Sequence, residues 1–400
     1  MNFTRKKLNM VVVGAGMYAC GRGTKEYGTI IPAILEWKKK GSLGEVYVVG
    51  TSSKNIRISK NKIKKLEKYT GIKAPLTYFP QNRTNDLQCY KKAIRMVPKP
   101  AVCIIAVPDN LHSRIASEAI KAGVHTFVVK PLAPTVKEVL KLVSAGKRKG
   151  VYCAVDFHKR FDRANIKLKD TILQNVIGDP LYFLAEYSQR KSIPHKRFRK
   201  WVKNTNIFQY LGIHYLDIIY FVTGATPKRA MATGQKGWLF SKGINTYDSI
   251  EAHIEWETSS GKKFTSHILT NWIDPESTSA MSDQKIKVIG TKGRFESDQK
   301  RRGITIVTDE KGIEEPNPYF CSAYGKDGAA SYRGYGIESI HQFLEDVMQI
   351  TEYRLSIEEL EDKRPTFKQS LVLTATLEAV NKSLKNNNQW VRVGSVKQYD

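Results

Sequence analysis

The stretch Val11-Val12-Val13-Gly14-Ala15-Gly16-Met17-Tyr18-Ala19 contains the pattern that decides the fold. Three β-branched residues in a row are typical of a short strand buried in a parallel sheet. The G-x-G-x-x-A that follows is typical of the first turn of a dinucleotide-binding βαβ unit. Gly14 would allow the tight turn, and Gly16 would let the backbone approach a pyrophosphate. We therefore predict a cofactor site that includes Gly14, Gly16, Met17 and Tyr18.

An export signal is the alternative for the same stretch. Lys6-Lys7, an apolar run and Met17-Tyr18-Ala19-Cys20 resemble a signal peptide that ends in a lipid-attachment cysteine. The apolar run is short and carries two glycines, and nothing after Cys20 resembles the start of an exported domain. The dinucleotide turn is therefore the preferred interpretation.

Composition indicates an ordinary globular protein with two or three domains in its 400 residues. No apolar run approaches the length of a membrane span, so no membrane partner is expected. The five cysteines are odd in number and form no C-x-x-C pair. They indicate reduced thiols and a cytoplasmic location, with neither a disulfide framework nor a metal site.

The net charge of +27 is unevenly distributed. Residues 1–150 carry 29 Lys and Arg against 8 Asp and Glu, whereas the remaining residues carry 36 against 30. Such a field favours anionic ligands and could hold nucleic acid non-specifically. Solvated lysine-rich faces explain the same excess. Because no nucleic-acid module is recognisable, we expect no specific nucleic-acid partner.

Strands and helices alternate through the first part of the chain. The predicted strands after the opening one are Val46–Val49, Ala101–Val107, Thr126–Val129 and Val151–Asp156. This alternation predicts a doubly wound parallel α/β sheet of the Rossmann type over residues 1–156. Ligands of such sheets bind beyond the carboxyl ends of the strands, where Pro108, His112 and Lys130 would lie.

The tip of the second strand reads Gly50-Thr51-Ser52-Ser53-Lys54, with Arg57 soon after. In a Rossmann unit this tip commonly carries an acid that binds the adenosine ribose. No acid is present, and small hydroxyls with cations suit a 2′-phosphate better. We therefore favour NADP over NAD as the cofactor, with Ser52, Ser53 and Lys54 among its ligands.

Two further motifs resemble the Gfo/Idh/MocA family of NAD(P)-dependent oxidoreductases, which includes glucose–fructose oxidoreductase and inositol dehydrogenases. Its P-x-x-x-H appears as Pro108–His112, and its A-G-x-H-x-x-x-E-K-P-L-A appears at residues 122–133 with Val129 in place of Glu. The resemblance extends over essentially the whole chain. It implies hydride transfer between nicotinamide and a hydroxyl or keto carbon of a sugar, polyol or nucleotide sugar. It also implies a homodimer or homotetramer.

After residue 156 the predicted strands are separated by turns and no longer by helices. This change predicts an α+β domain over residues 157–400 with a large, mostly antiparallel sheet. The family resemblance implies that this domain binds the substrate and bears the subunit contacts. Within it, Phe157–Phe161 resembles the family's crossing between domains, which makes Arg160 a candidate substrate ligand.

The family's D-x-G-x-H-x-x-D pattern matches at Gly212, His214 and Asp217, with Tyr210 in place of the first acid. On one α-helix, residues 210, 214 and 217 would share a face, and Gly212 would let a ligand approach. Imidazole suits proton transfer near neutral pH, which makes His214 the candidate general acid/base. A histidine packed between domains is the alternative.

Lys130 could hydrogen-bond the same substrate oxygen and stabilise a developing alkoxide. Tyr210 could share the proton relay or hold the sugar. Lys130, His214 and Tyr210 are thus the candidate catalytic residues, and all three are also candidate substrate ligands. Because Val129 and Tyr210 replace family acids, a cofactor-binding sensor or scaffold without turnover is the alternative function.

A basic stretch from residue 190 to 203 carries seven Lys and Arg and no acid. It predicts recognition of an anionic sugar, with Arg197 as a substrate ligand. A solvated loop or a subunit contact is the alternative.

Overall fold

The computed structural model describes residues 6–82 and 85–394. Their contacts divide the chain into two compact units. Unit 1 comprises Met1–Ala133, Lys137–His158 and Tyr319–Ser370, and unit 2 comprises Pro134–Val136, Lys159–Pro318 and Leu371–Asp400. This division differs from the single boundary expected after residue 156, because residues 319–370 cluster with the first unit.

Unit 1 contains a six-stranded parallel sheet in the order β3-β2-β1-β4-β5-β6. The strands are β1 (Leu8–Val13), β2 (Leu43–Val49), β3 (Leu76–Phe79), β4 (Ala101–Ile105), β5 (His125–Val129) and β6 (Cys153–Asp156). Every residue of β1 is buried, as its β-branched composition predicted. The strand order reverses between β1 and β4, and such a switch point is where ligands of doubly wound sheets bind.

Helices connect these strands. They are α1 (Met17–Cys20), α2 (Ile30–Lys39), α3 (Ser53–Thr70), α4 (Cys89–Met96), α5 (His112–Lys121) and α6 (Val136–Lys149). The helix after the glycine turn is interrupted: α1 is a single turn that ends at Gly21, which is left-handed with φ +70°. Pro32 lies in the first turn of α2, where its missing N–H breaks no helical hydrogen bond.

Strands dominate the next part of the chain, which belongs to unit 2. Its elements are α7 (Arg163–Leu173), β7 (Pro180–Arg190), α8 (Ile213–Thr223), β8 (Thr226–Gln235), α9 (Trp238–Ser241), β9 (Ser249–Glu257), β10 (Lys263–Asp274), β11 (Ser282–Gly290), β12 (Arg294–Asp298), β13 (Ile306–Thr308) and β14 (Gly312–Glu314).

The chain then returns to unit 1 with β15 (Ser322–Tyr324), β16 (Ser331–Arg333) and α10 (Tyr335–Thr351). The reason is apolar packing. Phe343 of α10 stacks on Phe127 of the parallel sheet at 4.7 Å and on Tyr152 at 5.4 Å between ring centroids. The final elements are α11 (Ser370–Lys385) and β17 (Val391–Arg392).

The large sheet of unit 2 has the order β12-β11-β7-β10-β9-β8-β17. Its pairs are antiparallel except for β7 with β10, which confirms the predicted mostly antiparallel sheet. Burial alternates along β9 and β10, so one face of the sheet packs on the core. None of the helices within the described residues is long and apolar enough to cross a bilayer.

Candidate active site

The turn after β1 admits only glycine at residue 14. Gly14 has φ +110°, and a Cβ atom there would lie 2.1 Å from the carbonyl oxygen of Ala106. Its N–H donates to the carbonyl of Val49 at 2.8 Å. At Gly16, by contrast, a Cβ would meet no atom within 4 Å, so this backbone is open to an approaching group. The turn lies at the switch point and fits a dinucleotide pyrophosphate.

Tyr18 does not present its hydroxyl to this turn. The hydroxyl donates to Oδ2 of Asp156 at 2.5 Å, and Oδ1 of Asp156 accepts from Ser339 at 2.8 Å. Burial raises the pKa of Tyr18, and the Asp156 carboxylate raises it further, so the phenol keeps its proton. Tyr18 therefore ties the glycine turn to the end of β6. Met17, the neighbouring predicted ligand, is half-buried at the start of α1.

Sequence reasoning missed the carboxylate at the end of β6. Burial raises the pKa of Asp156, but interactions with His158 and hydrogen bonds from Tyr18 and Ser339 outweigh it, so the pKa is lowered. The Nδ1 atom of His158 lies 3.6 Å from Oδ1 of Asp156. The available signal was position alone: an acid at the carboxyl end of a parallel strand lies at the ligand edge.

The tip of β2 leads directly into α3. Ser52 is the N-cap residue of this helix, but its side chain makes no capping hydrogen bond, and the first turn contains no acid. Ser53 begins the helix, while Lys54 and Arg57 are exposed on its first two turns. A helix N-terminus with two nearby cations attracts an anion. The predicted acid-free tip is therefore a suitable place for a phosphate group.

The ends of β4 and β5 are joined through His112. This buried ring places Nδ1 at 2.7 Å from the carbonyl oxygen of Pro131 and Nε2 at 2.8 Å from that of Val107. Each ring nitrogen thus faces a backbone carbonyl, and since burial lowers the pKa of His112, the neutral ring donates to only one of them at a time. Its structural role is to hold Pro131, and with it the half-buried Lys130, at the sheet edge. Pro108 precedes a 3₁₀ turn at the end of β4.

In unit 2, a π-helical turn, Phe208–Gly212, precedes α8. The predicted shared face of residues 210, 214 and 217 assumed one α-helix, and this turn changes the spacing. The predicted role of Gly212 also needs correction. A Cβ there would lie 2.6 Å from the ring of Phe208, so the glycine makes room for a neighbouring side chain and not for a ligand.

His214 and Tyr210 contact different aromatic residues. His214 is 3% exposed, and its ring lies 6.1 Å from that of Tyr187, between centroids. Tyr210 is half-buried in a cluster whose other rings lie 5.2 to 6.0 Å away: Phe198, Trp201 and Trp272. Tyr210 therefore packs within an aromatic cluster.

Arg160 forms a buried ion pair with Asp217. Its Nε lies 3.0 Å from both carboxylate oxygens, and its Nη2 lies 2.6 Å from Oδ1. The two side chains are 6% and 1% exposed. The structure thus gives Arg160 a role in holding the start of unit 2 to α8, where the sequence had suggested a substrate ligand.

Arg197 ends a second π-helical turn, Ile193–Arg197, and is exposed. Nearby, the exposed Arg199 donates to the carbonyl of Lys242 at 3.1 Å. The basic stretch therefore contains at least two exposed arginines.

The predicted residues fall into two groups. Unit 1 gathers the glycine turn, the acid-free tip, Pro108 and Lys130 at the carboxyl ends of its parallel strands. Unit 2 holds Arg160, Arg197, Tyr210 and His214.

Two family models match most of the chain. The model "Oxidoreductase family, NAD-binding Rossmann fold" matches residues 44–157, and "GFO/IDH/MocA C-terminal domain" matches residues 166–296. An inositol dehydrogenase homologue from Azotobacter vinelandii, solved in complex with NADH and myo-inositol, shares the fold. It superposes with a TM-score of 0.71 at 15% identity, covering 97% of this chain and 98% of its own.

Curated relatives are similar over part of their length. Myo-inositol 2-dehydrogenase from Thermotoga maritima is 27% identical over 228 residues, and scyllo-inositol 2-dehydrogenase (NAD(+)) from Bacillus subtilis is 26% identical over 208. These matches take in 56% and 51% of this chain and span 65% and 57% of the relatives. With both domain models matched in order, the chain belongs to the Gfo/Idh/MocA family of oxidoreductases.

Proposed function

We propose that this chain is an NAD(P)-dependent oxidoreductase that acts on a hydroxyl or keto carbon of a sugar, polyol or nucleotide sugar. The observation that carries the proposal is the turn at the switch point, where only glycine fits at residue 14 and the backbone at Gly16 is open. Bound nicotinamide would accept or donate the hydride. The inositol dehydrogenases among its relatives support a polyol-like substrate.

The residues of the chain would manage the proton that accompanies the hydride. Oxidation of an alcohol releases a proton from oxygen, and His214 would accept it as general base. Lys130 would stabilise the negative charge that develops on the same oxygen. Tyr210 would orient the sugar from its aromatic surroundings. In the reverse direction the imidazolium of His214 would return the proton.

A direct test incubates the purified protein with oxidised or reduced NADP or NAD and a panel of inositols, sugars, uronic acids and nucleotide sugars. We expect a change in nicotinamide absorbance with at least one polyol or sugar. Faster turnover of the anionic members would support a role for Arg197. Binding of cofactor with no turnover across the panel, in both directions, would contradict the proposal and favour a sensor or scaffold. The replacements at Val129 and Tyr210 motivate that alternative.

We propose NADP as the preferred cofactor, with Ser52, Ser53 and Lys54 near its 2′-phosphate. The acid-free start of α3 and the exposed cations Lys54 and Arg57 support this choice. An acid at this tip would repel the phosphate, whereas NAD needs a partner for its ribose hydroxyls.

Replacing Lys54 and Arg57 together with alanine is expected to raise the KM for NADP by roughly tenfold or more, because charge-assisted hydrogen bonds to the phosphate are lost. The KM for NAD should change little. Steady-state kinetics with both cofactors measure the difference. Lys64→Ala with Lys68→Ala, further along the same helix, provides a charge-matched control. Equal effects of the first pair on NADP and NAD would contradict the proposed phosphate site.

We also propose that the protein is a cytoplasmic homodimer or homotetramer with contacts through unit 2. Tyr182 and Leu184 of β7 are 39% and 43% exposed on the large sheet, which supports a covered surface there. All five cysteines are free thiols, which supports a reducing compartment.

A further inference from the structure

Unit 2 contains a buried lysine that no acid of the described residues contacts at ion-pair distance. Lys159 is 2% exposed, and its ammonium group donates to the side-chain oxygens of Gln284 and Gln299, the latter at 2.9 Å. Within the described residues, no carboxylate lies at ion-pair distance from it. Two neutral acceptors orient the ammonium group but do not balance its charge.

Asp162, the acid whose charge acts on Lys159, and Asp217, the partner of the adjacent Arg160, are both paired with arginines. Asp162 pairs with Arg302 at 2.5 Å, and Asp217 pairs with Arg160. Lys159 is therefore a surplus positive charge beside two buried ion pairs. Burial lowers the pKa of Lys159 to about 7, with Asp162 opposing the shift and Arg302 adding to it. This lysine can therefore change its charge near neutral pH.

Aromatic rings connect Lys159 to the candidate general base. The Lys159 Nζ atom lies 5.2 Å from the ring centroid of Tyr187 and 6.0 Å from that of Tyr215. The Tyr187 centroid lies 6.1 Å from that of His214. Lys159 and His214 thus contact the same tyrosine ring. Packed aromatic carbon screens charge far less than water does, so the shared ring is a weakly screening medium between the two groups.

We propose that Lys159 is a positioning residue for His214: the charge of its ammonium group sets how readily the imidazole takes up a proton. When Lys159 is protonated, it disfavours the imidazolium and keeps His214 a neutral base. When Lys159 is neutral, His214 binds a proton more readily. The consequence for turnover rests on the function proposed above, but the electrostatic coupling itself does not require turnover.

The groups around Lys159 come from several elements. They are Asp162 at the start of α7, Arg302 and Gln299 after β12, Gln284 on β11, Tyr187 on β7, Tyr215 on α8, and the adjacent Arg160 with its partner Asp217 on α8. Because burial lowers the pKa of Lys159 to about 7, Lys159 is the appropriate residue to vary.

The test measures the protonation of the His214 imidazole against pH by NMR, in the full-length protein without substrate. The histidines are ¹³C-labelled, and the His214 signal is assigned by its loss in His214→Asn. Lys159→Met removes the charge and should raise the pKa of His214 by about one pH unit. Lys159→Arg keeps a permanent charge and should leave His214 at or below its wild-type pKa. Lys167→Met, which removes an exposed charge from α7, should cause no shift.

Identical His214 titrations in the wild-type, Met and Arg proteins would overturn the proposal. If Lys159→Met does not fold, ¹³Cε-labelled lysine in the wild-type protein provides an independent test. The His214 curve should then show a second inflection at the pH where Lys159 loses its proton. A single-step His214 curve across that pH would equally overturn the proposal.

The pH dependence of kcat/KM supplies the catalytic readout. For oxidation, the acidic limb should move to higher pH by about one unit in Lys159→Met and return in Lys159→Arg. If Lys159→Met shifts the NMR titration of His214 but the protein shows no turnover, the coupling is retained and the proposed function is rejected. If turnover depends on His214 but Lys159→Met shifts neither the NMR titration of His214 nor the acidic limb of kcat/KM, the function is retained and the coupling is rejected.

Discussion

Replacing His214 with asparagine is expected to lower kcat by about a thousandfold, the usual loss when a general acid/base is removed. Asparagine has similar size and can hydrogen-bond, but it cannot take a proton from a hydroxyl. Cofactor affinity should stay within about twofold, because the glycine turn and the acid-free tip lie in unit 1 and His214 in unit 2. Turnover assays and titration with reduced cofactor measure the two quantities separately.

Lys130→Ala should also reduce kcat strongly, and the double variant should be little worse than either single one, because both residues serve one proton transfer. His195→Asn is the matched control: this ring packs edge-on against Trp238 at 5.4 Å and has no assigned role in the reaction. Near-wild-type turnover in His214→Asn would remove this histidine from the mechanism.

Breaking the buried pair of Arg160 and Asp217 is expected to have the largest effect on stability. Asp217→Asn removes the carboxylate that pairs with the guanidinium of Arg160, which is 6% exposed, and breaking a buried ion pair costs about 3–5 kcal/mol. Urea unfolding monitored by tryptophan fluorescence would measure the loss. The double variant Arg160→Met/Asp217→Leu should recover much of it, because two apolar side chains of similar size leave no unpaired charge.

A surface pair with similar geometry provides the control. Arg229 contacts Glu255 with two hydrogen bonds of 2.6 Å, but both side chains are substantially exposed. Glu255→Gln should leave the urea midpoint almost unchanged, because water solvates each charge when the other is removed. A loss as large as that of Asp217→Asn would show that pairing geometry, and not burial, determines the cost.

The parallel sheet and the change to an antiparallel sheet could be predicted because both depend on local patterns. A buried strand such as β1 needs a continuous apolar run, and its turn needs glycine at residue 14. The return of residues 319–370 to unit 1 could not be predicted in the same way. It depends on the packing of Phe343 against Phe127 and Tyr152, which lie about two hundred residues earlier in the chain.

The side chains of the candidate site also differ in whether their roles follow from local sequence or from long-range contacts. The sequence alone was enough to predict a glycine turn at a strand end, an acid-free tip at Ser52–Lys54 and a histidine at residue 214, since these follow from residue type and spacing. It could not show that Tyr18 bonds Asp156, that His112 lies between two backbone carbonyls, or that Arg160 pairs with Asp217. Polar side chains of the same type bind a ligand or hold two segments of the chain together, depending on which partner lies within about 3 Å.

The sequence by itself therefore determined the sheet, its ligand edge and the family, because hydrophobic period and glycine placement act over a few neighbouring residues. Only the tertiary structure decided which charges are compensated. It paired Arg160 and Arg302 with acids and left Lys159 with two amide oxygens and a tyrosine ring shared with His214. The physical reason is that the cost of a buried charge depends on its neighbours in space, and those neighbours come from distant parts of the chain.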